Sequence, residues 1–128
     1  MSVNPALILT REMLSRTGRA QCRVVSKSME PVLRVGQLIS LEKIDSLRAL
    51  SRFDIIAFLY GEDVFCHFVW HCTAFDGEEK LTTRSLADPW SNDVPILFEH
   101  VLGRVVVLRI SRWTRARILL VNVLRRTV

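Results

Sequence analysis

The residues able to do chemistry gather around Ser26-Lys27-Ser28-Met29-Glu30-Pro31 and one imidazole far along the chain, His67. A serine hydroxyl is a poor nucleophile at neutral pH unless a nearby base removes its proton. A serine on a turn ahead of a proline, with a histidine at the end of an apolar run, provides the parts of an acyl-transfer nucleophile. Their separation in sequence is no obstacle, because nucleophile and base must meet in space. An unperturbed imidazole titrates at about pH 6.5, which suits a base working near neutrality. Lys27 adjoins Ser28, but neighbouring side chains on an extended chain point to opposite sides, which removes it as the base. Lys43 and Lys80 are weaker alternatives. The plain readings of the pair are a Ser/Pro turn and a half-buried strand histidine.

A second constellation competes for His67. Cys66, His67, His71 and Cys72 place four metal-ligating side chains close together in sequence. On a helix His67 and His71 would share a face. The flanking Val64-Phe65 and Phe68-Val69-Trp70 favour a strand, where those two histidines share a face about 13 Å apart. Cys66 and Cys72 would point to the opposite face. A tetrahedral zinc site needs every ligand about 2.0–2.3 Å from one ion, so the strand spacing argues against it. The cysteines are then expected to pack as small apolar residues. No metal and no cofactor is expected, and there is no Gly-rich phosphate loop.

The elements that must position Ser28 and His67 are mainly β. Asn4 as a cap and Pro5 at the first helical position predict a helix over 5–17, with Ala6, Leu7, Leu9, Met13 and Leu14 along one side and Gly18 as its stop. Strands are expected over Gln21–Ser26 and Gln37–Leu41. The nearly continuous apolar run in Asp54–Tyr60 has the composition of a strand buried on both faces. After a Gly61-Glu62-Asp63 turn, Val64–Ala74 returns as its hairpin partner. Asp76-Gly77 turns into Lys80–Arg84, residues 86–95 form a loop, and Gly103–Ile110 is a closing β-branched strand. Ser111–Leu124 is open between helix and strand.

Length and composition set the outer bounds. The 128 residues suffice for one domain, divided here into the helix 5–17, a β core over 20–110 and a basic segment over 111–128. With 49% hydrophobic and 24% charged residues, the chain has a globular rather than a disordered composition. Three cysteines make no disulfide framework, so reduced thiols in the cytoplasm are the expectation. No signal peptide and no run of roughly 20 apolar residues is found, so no membrane span is expected. The net charge of +5 is unevenly placed: beyond His100 there are seven arginines and no acid. That tail is either a solvated face or a contact for an anionic surface through Arg112, Arg115, Arg117, Arg125 and Arg126. A helix with arginine on one side and Trp and Leu on the other would lie on a membrane surface, making the protein peripheral to it.

The order of motifs resembles the S24/S26 serine peptidases, the superfamily of signal peptidase I and the repressor-cleaving peptidases. The matching residues are Ser28-Met29-Glu30-Pro31, Gly36 before a strand, Asp54-Ile55-Ile56-Ala57-Phe58, His67, Thr83-Arg84 and Gly103-Arg104-Val105. They cover roughly residues 22–108. The resemblance implies coiled, partly barrelled antiparallel sheets and a serine endopeptidase acting on a polypeptide held in extended form. It makes Ser28 the nucleophile and His67 the base, in the slot where bacterial signal peptidases carry lysine and the archaeal and endoplasmic-reticulum types carry histidine. Ser26 and Met29 would serve the substrate site, Met29 on the pocket floor, while Pro31 fixes the chain after the turn. The Ser28 N–H is the expected oxyanion donor, with the Ser26 hydroxyl as a second. The orienting acid is expected to be Asp93, with Asp88 close behind. The chain departs from the family at Phe53 for glycine, Gln37 for aspartate, Phe68 for arginine, and Ser85-Leu86 for Gly-Asp. These departures motivate an alternative: a catalytically degenerate peptide-binding module on the same fold.

Overall fold

The computed structural model describes residues 5–75 and 77–126. The expected Asn4 cap and Asp76 turn residue lie outside them, as does the Arg126 side chain. Helix α1 (Pro5–Thr17) has the expected bounds. It buries Leu14 and part of Leu7 in the main core. It ends where the Gly18 N–H reaches the Leu14 carbonyl at 2.9 Å, with Gly18 at φ +78°. Glycine alone takes that left-handed position without cost, and it turns the chain directly into the sheet.

Seven antiparallel strands follow in one sheet, in the order β1-β2-β7-β3-β4-β5-β6. They are β1 (Arg19–Arg23), β2 (Leu38–Glu42), β3 (Ile55–Tyr60), β4 (Asp63–Phe75), β5 (Glu78–Arg84), β6 (Ile96–Leu97) and β7 (Val101–Val105). The protein is therefore mainly β, with one helix at each end. Strands β1 and β4 have three others between them, which in a flat sheet would put them about 19 Å apart. Yet Cys22 on β1 and Cys66 on β4 pack against one core, and one groove is lined by both strands, so the sheet curls until they face each other. Strand β3 is buried on both faces: Ile55 and Ala57 enter the main core, while Ile56 and Phe58 enter a smaller one with Val69, Leu81 and Ile96. Gly103 lies where β7 crosses closest to β2; a Cβ there would sit 2.6 Å from the Glu42 carbonyl oxygen.

Two sequence expectations need correction, and one open choice is decided. The closing strand ends at Val105 rather than Ile110, because Val107 adopts φ +78° and turns outward, exposed. The segment left open between helix and strand is helix α2 (Arg112–Arg126). Its buried Ile118 enters the main core, so packing overrides the β-branched run. Strand β1 starts earlier than expected and stops at Arg23. Beyond it Val24 still bonds to the chain leading into β2, its N–H to the Gln37 carbonyl and its carbonyl to the Gly36 N–H.

Phe53 has a φ of +76°. A bulky residue in the left-handed region is strained, and it persists here because the surroundings hold it on every side. Its N–H donates to the Val69 carbonyl at 2.8 Å, and its ring stacks on Phe68 at 5.7 Å and meets Trp70 edge-on at 6.0 Å. Phe53, Phe68 and Trp70 thus form one buried aromatic cluster.

Candidate active site

Ser28 is presented by a turn that Met29 and Leu33 anchor from below while Lys27, Glu30 and Pro31 stay exposed. The Glu30 N–H returns to the Lys27 carbonyl and the Leu33 N–H to the Met29 carbonyl, closing two successive turns. Met29 and Leu33 are fully buried and pin the turn to the main core. The Ala87 N–H donates to the Ser28 carbonyl at 3.0 Å, which ties this turn to the loop after β5. The Ser28 side chain is left half-buried between those two segments.

His67 projects from β4, where it pairs across from Ile56 on β3. The rings of Phe58 and Phe65 flank it at 5.7 and 6.1 Å and limit how far it can swing. Its Nε2 lies 3.0 Å from Ser28 Oγ. On the other side of the ring, Nδ1 lies 2.7 Å from Asp93 Oδ2. A carboxylate can only accept, so Nδ1 carries a proton and donates to Asp93. With the neutral ring protonated there, Nε2 has its lone pair directed at the Ser28 hydroxyl. This is the tautomer a general base requires.

Asp93 is held by its own loop. Its N–H donates to the Thr83 carbonyl at 2.9 Å, and the Thr83 hydroxyl donates to Asp93 Oδ2 at 2.8 Å. Partial burial raises the Asp93 carboxyl, but the hydrogen bonds from His67 and Thr83, with the nearby charges of His67 and Arg84, outweigh it and leave it below its ordinary value. Behind the loop, buried Arg84 lies against the Trp70 ring at 3.8 Å. Its Nε donates to Asn92 Oδ1 at 2.7 Å and its terminal nitrogen to the Pro89 carbonyl at 3.1 Å. Thr83 and Arg84 therefore fix the acid from two sides. Neither role was assigned from sequence, although a threonine and an arginine opening an acid-bearing loop were visible there.

Of the two candidate acids, Asp93 meets the imidazole and Asp88 does not. Asp88 is exposed, and its N–H is turned back to Ser85 Oγ at 3.2 Å. Ser85 thus shapes the loop through its hydroxyl. Met29 is a second correction: at 1% exposure it supports the turn from below and does not line an open pocket. Pro31 is exposed just after the turn. Ser26 is close to the chemistry, its Oγ donating to Ser28 Oγ at 3.1 Å and accepting the Ser28 N–H at 3.2 Å. The amide expected to serve as oxyanion donor is therefore engaged by Ser26.

The zinc constellation disperses, for a reason that strand alternation did not contain. Between Val69 and His71 the pairing of β4 with β5 slips, and a bulge at Trp70 interrupts the two-residue alternation. His71 is exposed while Cys72 packs in the smaller core beside Phe65, so the shared face expected for His67 and His71 does not exist. No cluster of three metal-ligating side chains occurs among the described residues.

A groove of about 930 Å³ runs beside β1, walled by Leu7, Leu9 and Met13 of α1 and by Asp63 and Val64 of β4. It reaches Val25, three residues before Ser28. Among the described residues β1 pairs only with β2, and the Asp63–His67 half of β4 pairs only with β3. Two unpaired strand edges therefore border the approach to Ser28 and His67. Arg104 braces the sheet from behind, donating to Glu42, the Ala49 carbonyl and Asp54. No helix among the described residues is long and apolar enough to cross a membrane. The chain matches no protein-family model and no curated protein.

Proposed function

We propose that the protein is a serine endopeptidase of the S24/S26 type, with Ser28 as nucleophile, His67 as general base and Asp93 as the acid that orients it. The observation that carries this reading is the unbroken relay from Ser28 Oγ to His67 Nε2 at 3.0 Å and from His67 Nδ1 to Asp93 Oδ2 at 2.7 Å. Both distances fall in the range expected of a nucleophile–base–orienter set. A degenerate binding module would have no need of this alignment, which favours hydrolysis over the alternative.

In the proposed reaction Ser28 Oγ attacks the scissile carbonyl carbon while its proton passes to His67 Nε2. The imidazolium, stabilised by the Asp93 carboxylate, returns that proton to the leaving amine. Water then attacks the Ser28 ester with His67 again as base, releasing the new carboxyl end and restoring the serine. The Ser28 N–H and the Ser26 hydroxyl are the nearest donors for the oxyanion, each exchanging its present bond for one to the intermediate.

The two free strand edges suit an extended polypeptide, which would add main-chain hydrogen bonds to the sheet. The largely apolar groove suits apolar side chains on that peptide. The free thiols of Cys22, Cys66 and Cys72 suit a reducing compartment such as the cytoplasm. Incubating native protein and Ser28→Ala with a peptide library tests the proposal. Cleavage by the native protein alone is expected, and equal cleavage by both would discard the assignment.

A further inference from the structure

We propose that α2 docks the protein onto an anionic lipid bilayer, seating Trp113, Leu120 and Val123 at the boundary between headgroups and acyl chains. Helix α2 is fastened by its inner side. Ile118 is buried in the main core, and Asn122 Oδ1 accepts a bond from Arg84. At 100° per residue, Trp113, Ala116, Leu120, Val123 and Leu124 fall on the opposite, outward arc, with Leu119 at its edge. Trp113 is 87% exposed and Leu120 61%. A surface helix of a globular protein ordinarily directs its apolar stripe inward, so this one presents to solvent the face that would normally be covered.

Charge selects the occupant. Arg112 lies within the apolar arc and Arg117 at its border, and no acid occurs from Val101 to the end of the sequence. Two copies meeting through this face would bring like charges together in a closing apolar contact, which opposes the pairing. Anionic headgroups neutralise the same arginines while the lipid boundary takes up the apolar side chains. Tryptophan is well suited to that depth, since its ring is apolar and its N–H polar. The 15 residues of α2 span about 22 Å, so the helix lies flat on the bilayer rather than across it.

The test is co-sedimentation of the full chain with vesicles of phosphatidylcholine alone and of phosphatidylcholine mixed with phosphatidylglycerol. Binding to the mixed vesicles only is expected, weakened by added salt. Leu120→Asp with Val123→Asp should abolish it, and Arg112→Gln should weaken it roughly fivefold. These side chains are exposed, so the circular dichroism of each variant should match the native chain. Ser28→Ala should bind vesicles like the native protein, which separates this inference from the hydrolytic proposal. It is overturned by failure to bind the mixed vesicles, or by binding that survives the double aspartate substitution. A stable dimer in vesicle-free solution, dissolved by that substitution, would likewise overturn it and assign the face to a second copy.

Discussion

Replacing Asp93 with asparagine probes the proposed relay at its least expendable charge. The amide oxygen can still accept from Thr83 and from His67 Nδ1, so the ring retains its tautomer in that orientation, but the negative charge is gone. A unit-charge pair at roughly 4 Å in a medium of effective dielectric near 20 is worth about 4 kcal/mol, or about 10³ in rate. Solvent reduces this here, because the Asp93 side chain is 35% exposed while His67 is 14% exposed. The expected loss in kcat/KM is therefore about 10²- to 10³-fold, approaching 10⁴ where the amide rotates and reverses the tautomer. The assay is steady-state cleavage of the best library peptide, with Asp88→Asn alongside as a control expected to retain the native rate. An Asp93→Asn enzyme within threefold of native would refute the reasoning. The same substitution carries a signature in stability. The folded-state carboxyl of Asp93 lies below its ordinary value, so it stabilises the fold at pH above the unfolded value and loses that contribution as pH falls through the folded one. Unfolding curves of native and Asp93→Asn protein should accordingly converge as the solution is acidified.

Other substitutions read the scaffold. Phe53→Gly sets relief of a left-handed backbone, about 1–2 kcal/mol, against loss of a buried ring, about 3–5 kcal/mol. Packing should win and lower the melting temperature by several degrees, whereas an unchanged or higher value would show that strain dominates. Gly103→Ala should cost about 1–3 kcal/mol by forcing β7 off the Glu42 carbonyl, and a chemically denatured midpoint equal to native would contradict that contact. Among the thiols, Cys22 is lowered by the hydrogen bond from Cys66 more than burial raises it, while Cys66 is raised by that bond and by burial, and Cys72 by burial and by Asp54. Iodoacetamide should therefore alkylate Cys22 first by mass spectrometry, and prior labelling of Cys66 or Cys72 would count against this ordering.

Local pattern carried far in this chain. Helix α1, the β3–β4 hairpin and the loop bearing the acid were all legible, because caps, turn residues and apolar period agree at those places. What escaped depends on distant contacts. The residues of α2 suit helix and strand equally, and only Ile118 in the core and Asn122 against Arg84 decide the matter. Strand β6 has two residues, too few to show any period. The bulge at Trp70 has no sequence signature and reverses the face of everything after it. At the site, Ser28 and His67 stood out by residue type and order. The choice of Asp93 over Asp88 rests on a loop conformation set by the bond from the Asp93 N–H to the Thr83 carbonyl.

A fluorophosphonate probe tests the central claim most directly, since an activated serine attacks its phosphorus and expels fluoride, leaving a covalent ester readable by mass spectrometry. The account predicts a single adduct on the peptide containing Ser28, lost in Ser28→Ala and sharply reduced in His67→Ala. Native protein that stays unlabelled, or that carries the adduct on another serine, would contradict it.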